Sequence, residues 1–332
     1  MTSLRDWVKR QLSPTARQQI KRVFNWPPIV DVGKLSGALF LAGTGRSGTG
    51  WVANIINYDN RYRYMYEPFS PRVVDTVAAF TWGLYIRPDD RSEQYIVPAR
   101  RLLEGKVGHY PKLDRANRRV FATKRLLKET RANLWLKWLH VNFPEVKIVL
   151  LMRHPCAAVN SRIKRGNLVL FDQFLQQPML MADHLAPFKR DIEEAKDADE
   201  FSKRVYMWCV NHYVPLRQFK PGEMHLGFYE NFAEHPREEI RRLFAFLGEP
   251  YDDGIFDAVR RPSEVTRPDA AILTGKSVVG HWQEEVGAER TRRSIDILRR
   301  FGLDAIYGED PMPKVAADDA FLTQREAVSR PE

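Results

Sequence analysis

The sequence predicts an α/β fold of three layers, with a mostly parallel central sheet flanked by helices. Three observations predict it. Apolar runs of strand length, at 38–41 and 146–152, alternate with amphipathic stretches of helical spacing. The run at 146–152 is nearly all apolar, as in a parallel strand buried on both faces. A glycine-rich turn, Gly43-Thr44-Gly45-Arg46-Ser47-Gly48-Thr49-Gly50, joins the first run to a helical pattern at Trp51, Val52, Ile55 and Ile56.

The chain has 332 residues, of which 44% are hydrophobic and 28% charged, values that suit a large globular α/β domain. Three segments are expected: basic amphipathic N-terminal helices over 1–28, the α/β domain over 29–310 and a flexible tail over 311–332. In the first segment Leu4, Trp7, Val8 and Leu12 keep helical spacing, as do Ile20, Val23 and Phe24. Ser13-Pro14 reads as a cap followed by proline at the first helical position. A basic face beside Trp7 suits docking on the domain, or peripheral contact with an anionic membrane. No apolar run reaches the roughly 18 residues of a membrane span, and no secretory signal is recognised. Two cysteines, Cys156 and Cys209, suit a reducing compartment, so a cytoplasmic location is expected. The net charge of +10 favours an anionic partner.

The strand, glycine turn and helix around residue 45 have the anatomy of a phosphate-binding loop, which makes the expected fold P-loop-type. Glycines let the backbone approach an anion, and the helix start offers unpaired N–H groups. A nucleotidase loop closes on Gly-Lys-Ser/Thr. Here Gly48 is followed by Thr49 and Gly50, so the lysine for the outer phosphates and the hydroxyl for magnesium are both missing. Arg46 supplies a cation earlier in the loop. The pattern suits an anionic nucleotide without a γ-phosphate, and no metal is expected.

Residues 62–66 alternate aromatic and basic residues and read as a strand ending in Glu67-Pro68. Proline favours an extended residue before it, so Glu67 is expected to project from a strand end. A helix is expected near 73–84, a strand over 119–123 followed by Lys124, and a helix over 133–141. Pro155 opens the helix after the strand at 146–152. Further elements are a solvated acidic face over 191–200, a helix over 201–216, a strand over 224–229, a helix over 236–247 capped by Gly248, and a last helix over 290–301. Residues 69–118 and 166–200 are expected to cover the acceptor.

Arg153 follows the strand at 146–152, where open α/β sheets bind ligands. Ser161, eight positions on, falls about two turns into the next helix. A guanidinium and a hydroxyl make a cradle for a terminal phosphate. With the glycine loop, they point to a nucleotide phosphorylated at two separate places.

These stretches resemble the sulfotransferases that use 3′-phosphoadenosine 5′-phosphosulfate (PAPS), and the carbohydrate-type branch more than the cytosolic branch with its histidine base. The segment Gly43 to Trp51 resembles that family's 5′-phosphosulfate loop, and Val149 to Pro155 with Ser161 its 3′-phosphate motif. Phe228-Tyr229-Glu230-Asn231-Phe232 resembles a third family stretch, and Gly275 to Trp282 a degraded form of its C-terminal loop. The resemblance runs in order across about residues 38–305. It implies that Gly45, Arg46, Ser47, Gly48, Thr49 and Gly50 cradle the 5′-phosphosulfate, and that Trp51 stacks on adenine. Arg153, Ser161 and Lys276 would bind the 3′-phosphate, although Gly275 and Ser277 depart from the family pattern around that lysine.

Sulfuryl transfer places negative charge on the leaving phosphate oxygen, and nearby cations stabilise it. Arg46 and Lys124 are the candidates, Lys124 because it resembles the lysine of the cytosolic branch's Lys-Thr-His motif. That branch's histidine position is Leu126 here. The base is therefore sought in Glu67, which resembles the Glu-Pro of carbohydrate-type enzymes, with His109 as alternative. The implied activity is sulfuryl transfer to a hydroxyl acceptor, a carbohydrate or glycolipid, with no nucleic acid partner. Two other classes stay open: a kinase with a reduced phosphate loop, and a non-enzymatic basic protein that binds nucleic acid or anionic membrane.

Overall fold

A computed structural model describes residues 29–108, 110–166, 171–174, 176–261 and 279–322. The expected N-terminal helices, His109 and Lys276 lie outside the described residues.

Seven strands follow in chain order: β1 (Val30–Asp31), β2 (Ala38–Gly43), β3 (Arg63–Tyr66), β4 (Phe121–Ala122), β5 (Arg125–Glu129), β6 (Lys147–Met152) and β7 (His225–Phe228). β1 and β4 pair by themselves, while the other five form one parallel sheet in the order β3-β5-β2-β6-β7. The α/β expectation holds. From β2 the chain moves to one side of the sheet, and from β6 it moves to the other. The strand ends of β2 and β6 therefore flank a switch point, the place where such sheets open a crevice.

Alternation along the strands builds the three layers. Phe40, Ala42, Ile148, Leu150 and Met152 point into a large core with Trp135, Trp138 and the Glu200–Gln218 helix. Leu39, Leu41, Val149 and Leu151 point the other way, onto the Thr49–Ile56 and Pro236–Leu247 helices. Gly248, at φ 64°, ends the second of these in the left-handed conformation expected of a helix stop.

Several expectations are corrected. The strand placed at 119–123 is only the two-residue β4, and the sheet strand is β5, which begins after Lys124. β5 reads as polar because Arg125, Lys128 and Glu129 punctuate it, yet all three are buried. Arg125 is held by Asp31 at 2.6 Å, and Asp31 also meets Arg63, which Asp114 grips through both Nε and Nη2. This ion cluster lies at the N-terminal end of the sheet, away from the crevice. In place of a helix near 73–84 there is irregular chain with one short turn, Asp75–Val77, and the helix of this region is Glu93–Leu103. The tail does not become free at Pro311: Ala317, Ala320, Phe321 and Leu322 are buried, and Arg217 donates to the Leu322 carbonyl. Among the described residues no helix is long and apolar enough to cross a membrane.

Candidate active site

The loop after β2 and the loop after β6 meet across the switch point. Arg46 Nε donates to Ser161 Oγ at 2.9 Å, and Arg153 Nη1 donates to the Arg46 carbonyl at 3.2 Å. The Arg153 guanidinium lies over the Tyr229 ring, 4.2 Å from its centroid. Trp208 Nε1 donates to the Arg153 carbonyl at 3.1 Å. Three residues singled out from sequence, Arg46, Arg153 and Ser161, thus form one connected group.

Local chemistry explains how the loops are shaped. Gly48 has φ 96° and precedes the Thr49–Ile56 helix, whose leading N–H groups have no partner within the helix. A Cβ on Gly48 would lie 2.4 Å from the Tyr229 ring, so only glycine fits there. Arg46 also has positive φ, 74°. On the other loop, Pro155 occupies the first turn of the Pro155–Ile163 helix, and His154 Nδ1 accepts the Cys156 N–H. The Glu230 carboxylate fastens this loop to the rest of the domain. One of its oxygens accepts the His154 N–H at 2.8 Å and the other accepts the Tyr307 hydroxyl at 2.9 Å. Burial pushes the Glu230 carboxyl up and the His154 imidazole down to about 3. Neutral His154 donates through Nε2 to the Gly308 carbonyl at 2.9 Å and stacks on Trp282.

The residues present fit an anionic ligand. Thr44 Oγ1, Ser47 Oγ and Arg153 Nε are buried without a hydrogen-bond partner, an unfavourable state that phosphate oxygens would relieve. A Cβ built on Gly45 would meet nothing within 4 Å, so open space adjoins the loop there. Trp51 differs from its expectation: it is 8% exposed, donates to the Val259 carbonyl at 3.0 Å and packs edge-on against Tyr229 and Phe232. It serves the core and has little free face to offer a base.

Glu67 ends β3, two strands from β2. It is not extended as Pro68 suggested; its φ is 47°. Among the described residues only Arg46, Asn60 and Glu67 have positive φ without being glycine, and two of these are site candidates. Backbone strain of this kind persists where surrounding contacts impose it. Here the Glu67 N–H donates to the Lys128 carbonyl at 2.8 Å, and its carboxylate accepts from Lys128 Nζ and Thr130 Oγ1, both at 3.1 Å. Burial works to raise the Glu67 carboxyl, but Lys128, Arg131 and Thr130 outweigh it and hold the group below the usual range. Beside it, Glu129 is fully buried and accepts the Phe69 and Thr130 N–H groups at 3.0 and 2.9 Å. Burial and the neighbouring Glu67 push Glu129 up to about 7.

Lys128 and Thr130 are the functional candidates that sequence reasoning missed. Lys128 is level with Leu41 of β2 and Tyr66 of β3, near the C-terminal edge of the sheet and between Glu67 and the glycine loop. Lys124 is corrected. It precedes Arg125, the register partner of Ala38, so it lies roughly 20 Å along the strand direction from the loop. It pairs there with Glu249 at 2.5 Å. The signal for Lys128 was a Leu126-Leu127 pair short enough to pass for loop.

The two segments expected to cover the acceptor are tied together. Arg87 binds Asp183 through Nε and Nη2 at 2.7 and 2.6 Å, and the Tyr85 hydroxyl donates to Asp183 at 3.0 Å. Among the described residues no group of three or more His, Cys, Asp and Glu side chains is placed to hold a metal ion.

With this geometry in view, residues 38–253 match the sequence profile of the sulfotransferase family. The chain belongs to the sulfotransferase family. The matched segment contains the glycine loop, Glu67, Lys128, Arg153 and Ser161, so the candidate site of this sulfotransferase lies within the family region. No match was found among curated proteins. Similar solved structures include the sulfotransferase domain from the curacin biosynthetic pathway, at 12% identity and TM-score 0.44, covering 80% of this chain and 97% of that one. The sulfotransferase domain of the Synechococcus PCC 7002 olefin synthase is similar at 14% identity and TM-score 0.43, covering 80% and 94%. Mouse sulfotransferase SULT7A1, complexed with PAP, is similar at 16% identity and TM-score 0.39, covering 82% and 85%.

Proposed function

We propose that this sulfotransferase moves a sulfuryl group from PAPS to a hydroxyl of a carbohydrate or glycolipid. The observation that carries this reading is the junction of the two anion loops. Arg46 bonds Ser161, Arg153 bonds the Arg46 carbonyl, and the Thr44 and Ser47 hydroxyls are left buried without partners. One crevice therefore has donors for two separate phosphate groups.

In this reading Arg46, Ser47, Thr49 and the glycine backbone hold the 5′-phosphosulfate end, and Arg153 with Ser161 holds the 3′-phosphate. Bound there, PAPS supplies an activated sulfuryl group with a phosphate leaving oxygen. Glu67 takes the proton from the acceptor hydroxyl. Its low pKa keeps it ionised and ready, at some loss of basicity. Lys128 takes the part expected of Lys124: it keeps the Glu67 carboxylate charged and places a cation on the loop side of it.

Calorimetric titration with adenosine 3′,5′-bisphosphate (PAP), in magnesium-free buffer, tests the nucleotide site. Wild type is expected to bind and Arg153→Ala to lose that binding. Labelled-sulfate transfer from PAPS to a panel of glycans and glycolipids then tests the reaction, with Glu67→Gln expected to lose about 10²- to 10⁴-fold in rate. Failure of the folded wild type to bind PAP would overturn the proposal.

A further inference from the structure

The ribbon of β1 and β4 has a reversed pattern: its inner side carries charge and its outer side is apolar. Asp31 faces inward and meets Arg125 at 2.6 Å and Arg63 at 3.4 Å. A Cβ on Gly33 would run into the Arg125 guanidinium, so that position faces inward too. In the alternation between them Val30 and Val32 face outward, 49% and 58% exposed. Lys34, also exposed, follows two positions later. On the partner strand Ala122 is buried, while Phe121, the register partner of Val30, is 57% exposed. Val120 is exposed as well, and its carbonyl accepts the Val30 N–H at 2.7 Å. Apolar residues exposed singly are ordinary, but neighbours on paired strands make a contiguous face that suits contact with another apolar surface.

The rim of this face is basic. Arg118 and Arg119 precede Val120 and are exposed. Arg119 Nε donates to a neutral acceptor, the Asn60 carbonyl. Among the described residues no carboxylate pairs with Lys34, Arg118 or Arg119. The acids of this end of the sheet are committed elsewhere: Asp31 to Arg125 and Arg63, Asp114 to Arg63 at 2.9 Å, and Glu104 to Lys106 at 2.8 Å.

That charge decides what fits the face. Residues 1–28 lead into β1 through Ile29, and they carry Arg5, Lys9, Arg10, Arg17, Lys21 and Arg22 against a single acid, Asp6. Laying this segment over the ribbon would set like charges together, and so would pairing the ribbon with a second copy of itself. An anionic lipid surface attracts the rim and the leading segment alike. It also receives apolar side chains at the boundary between headgroups and acyl chains.

We propose that the outward face of β1 and β4 docks on an anionic membrane surface, with Val30, Val32 and Phe121 entering the headgroup boundary and Lys34, Arg118 and Arg119 meeting the lipid charge. The ion cluster beneath the ribbon lies at the N-terminal end of the sheet, so the nucleotide crevice at the other end takes no part. Docking here is independent of the sulfuryl-transfer reading.

Sedimentation of the full chain with vesicles tests this. One set of vesicles mixes phosphatidylglycerol into phosphatidylcholine, and the other is phosphatidylcholine alone. Two double variants are compared with wild type. Val32→Thr with Phe121→Thr removes apolar surface and keeps residues that favour strands. Lys34→Gln with Arg118→Gln removes two charges. Wild type is expected to bind the anionic vesicles and to bind the neutral ones at least tenfold more weakly. The threonine variant should bind the anionic vesicles at least tenfold more weakly than wild type. The glutamine variant should lose about 30-fold, as two charges near such a surface imply. Both variants should melt within about 2 °C of wild type, because the substituted side chains face solvent.

The proposal is overturned if wild type does not bind the anionic vesicles, or binds both sets equally. It is overturned if the threonine variant binds as wild type does, which would leave any attachment to residues 1–28 alone. Unchanged binding by the glutamine variant overturns it too, because the rim would then not meet the lipid. A melting temperature lowered by more than this in the threonine variant overturns it, because the face would then be covered by the chain itself. Light scattering that finds a wild-type dimer and a monomeric threonine variant overturns it in favour of a second copy.

Discussion

Arg46 Nε donates to Ser161 Oγ at 2.9 Å across 115 residues of sequence. The contact ties the loop after β2 to the helix after β6, and it fixes the spacing between the two anion-binding ends of the crevice. Each member should therefore matter to nucleotide affinity in proportion to its charge.

Ser161→Ala removes a neutral hydroxyl, worth about 1 kcal/mol, so PAP affinity should fall about fivefold. Arg153→Ala removes a charge-assisted donor and leaves an anion unmatched, worth about 3 kcal/mol, so the loss should exceed about 100-fold. Isothermal titration of both variants checks the order. Equal affinities for wild type and Arg153→Ala would detach this motif from the nucleotide.

The two lysines at either end of β5 should behave oppositely. Lys124→Met breaks a partly exposed ion pair with Glu249, worth about 0–1 kcal/mol, and should leave turnover within twofold. Lys128→Met removes the cation that holds Glu67 ionised. A base acts while deprotonated, so activity persists on falling pH until the pH passes through its pKa. In wild type that acid limb lies below the ordinary glutamate range, because Glu67 is held low. In Lys128→Met the limb should move to higher pH. Profiles of kcat/KM against pH read this directly, and an unmoved limb would show that Glu67 is not the group titrating.

Much of this fold was legible because strongly periodic elements left few choices. The run at 146–152 could only be a strand buried on both faces, and Pro236 with Gly248 bounded a helix unambiguously. β5 was not legible, because its charges are satisfied by residues remote in sequence: Arg125 by Asp31, and Lys128 by Glu67. A pattern reader takes such charges as solvent-facing. The displaced strand carried the lysine assignment with it, which is why Lys124 was the candidate and Lys128, beside Glu67, was passed over. Glu67 was found by position and its conformation was not, since three tertiary hydrogen bonds override the local preference that Pro68 imposes.

Acid stability should report the buried histidines. Burial pushes His154 down to about 3 and His212 down to about 4, and both side chains are fully enclosed. A histidine whose folded pKa is depressed favours the fold while neutral. Its contribution is complete above the unfolded value of about 6.5 and is lost as pH falls toward the folded one. Between about pH 6 and 4 each should add a slope of about 1.4 kcal/mol per pH unit. His212 Nε2 has no partner, so His212→Leu is tolerable in the surrounding core. Urea unfolding across this range should show the slope of His212→Leu reduced by about one such step. Parallel wild-type and variant curves would mean that His212 is protonated in the fold.

The glycine loop separates binding from folding. Gly48 sits at φ 96°, where a side chain costs about 1–2 kcal/mol, and its Cβ would press on the Tyr229 ring. That ring supports Arg153, so Gly48→Ala should lower the melting temperature and weaken PAP binding more than tenfold together. Gly45 differs, because a Cβ there meets nothing within 4 Å and its φ is not in the left-handed range. Gly45→Ala should keep the melting temperature within about 2 °C, since the change is confined to open space beside the loop. It should still weaken PAP, because that open space is where an anion would approach the backbone. Thermal melts and PAP titrations of the two variants decide the matter. If Gly45→Ala binds PAP as wild type does, the phosphates do not lie against this part of the loop.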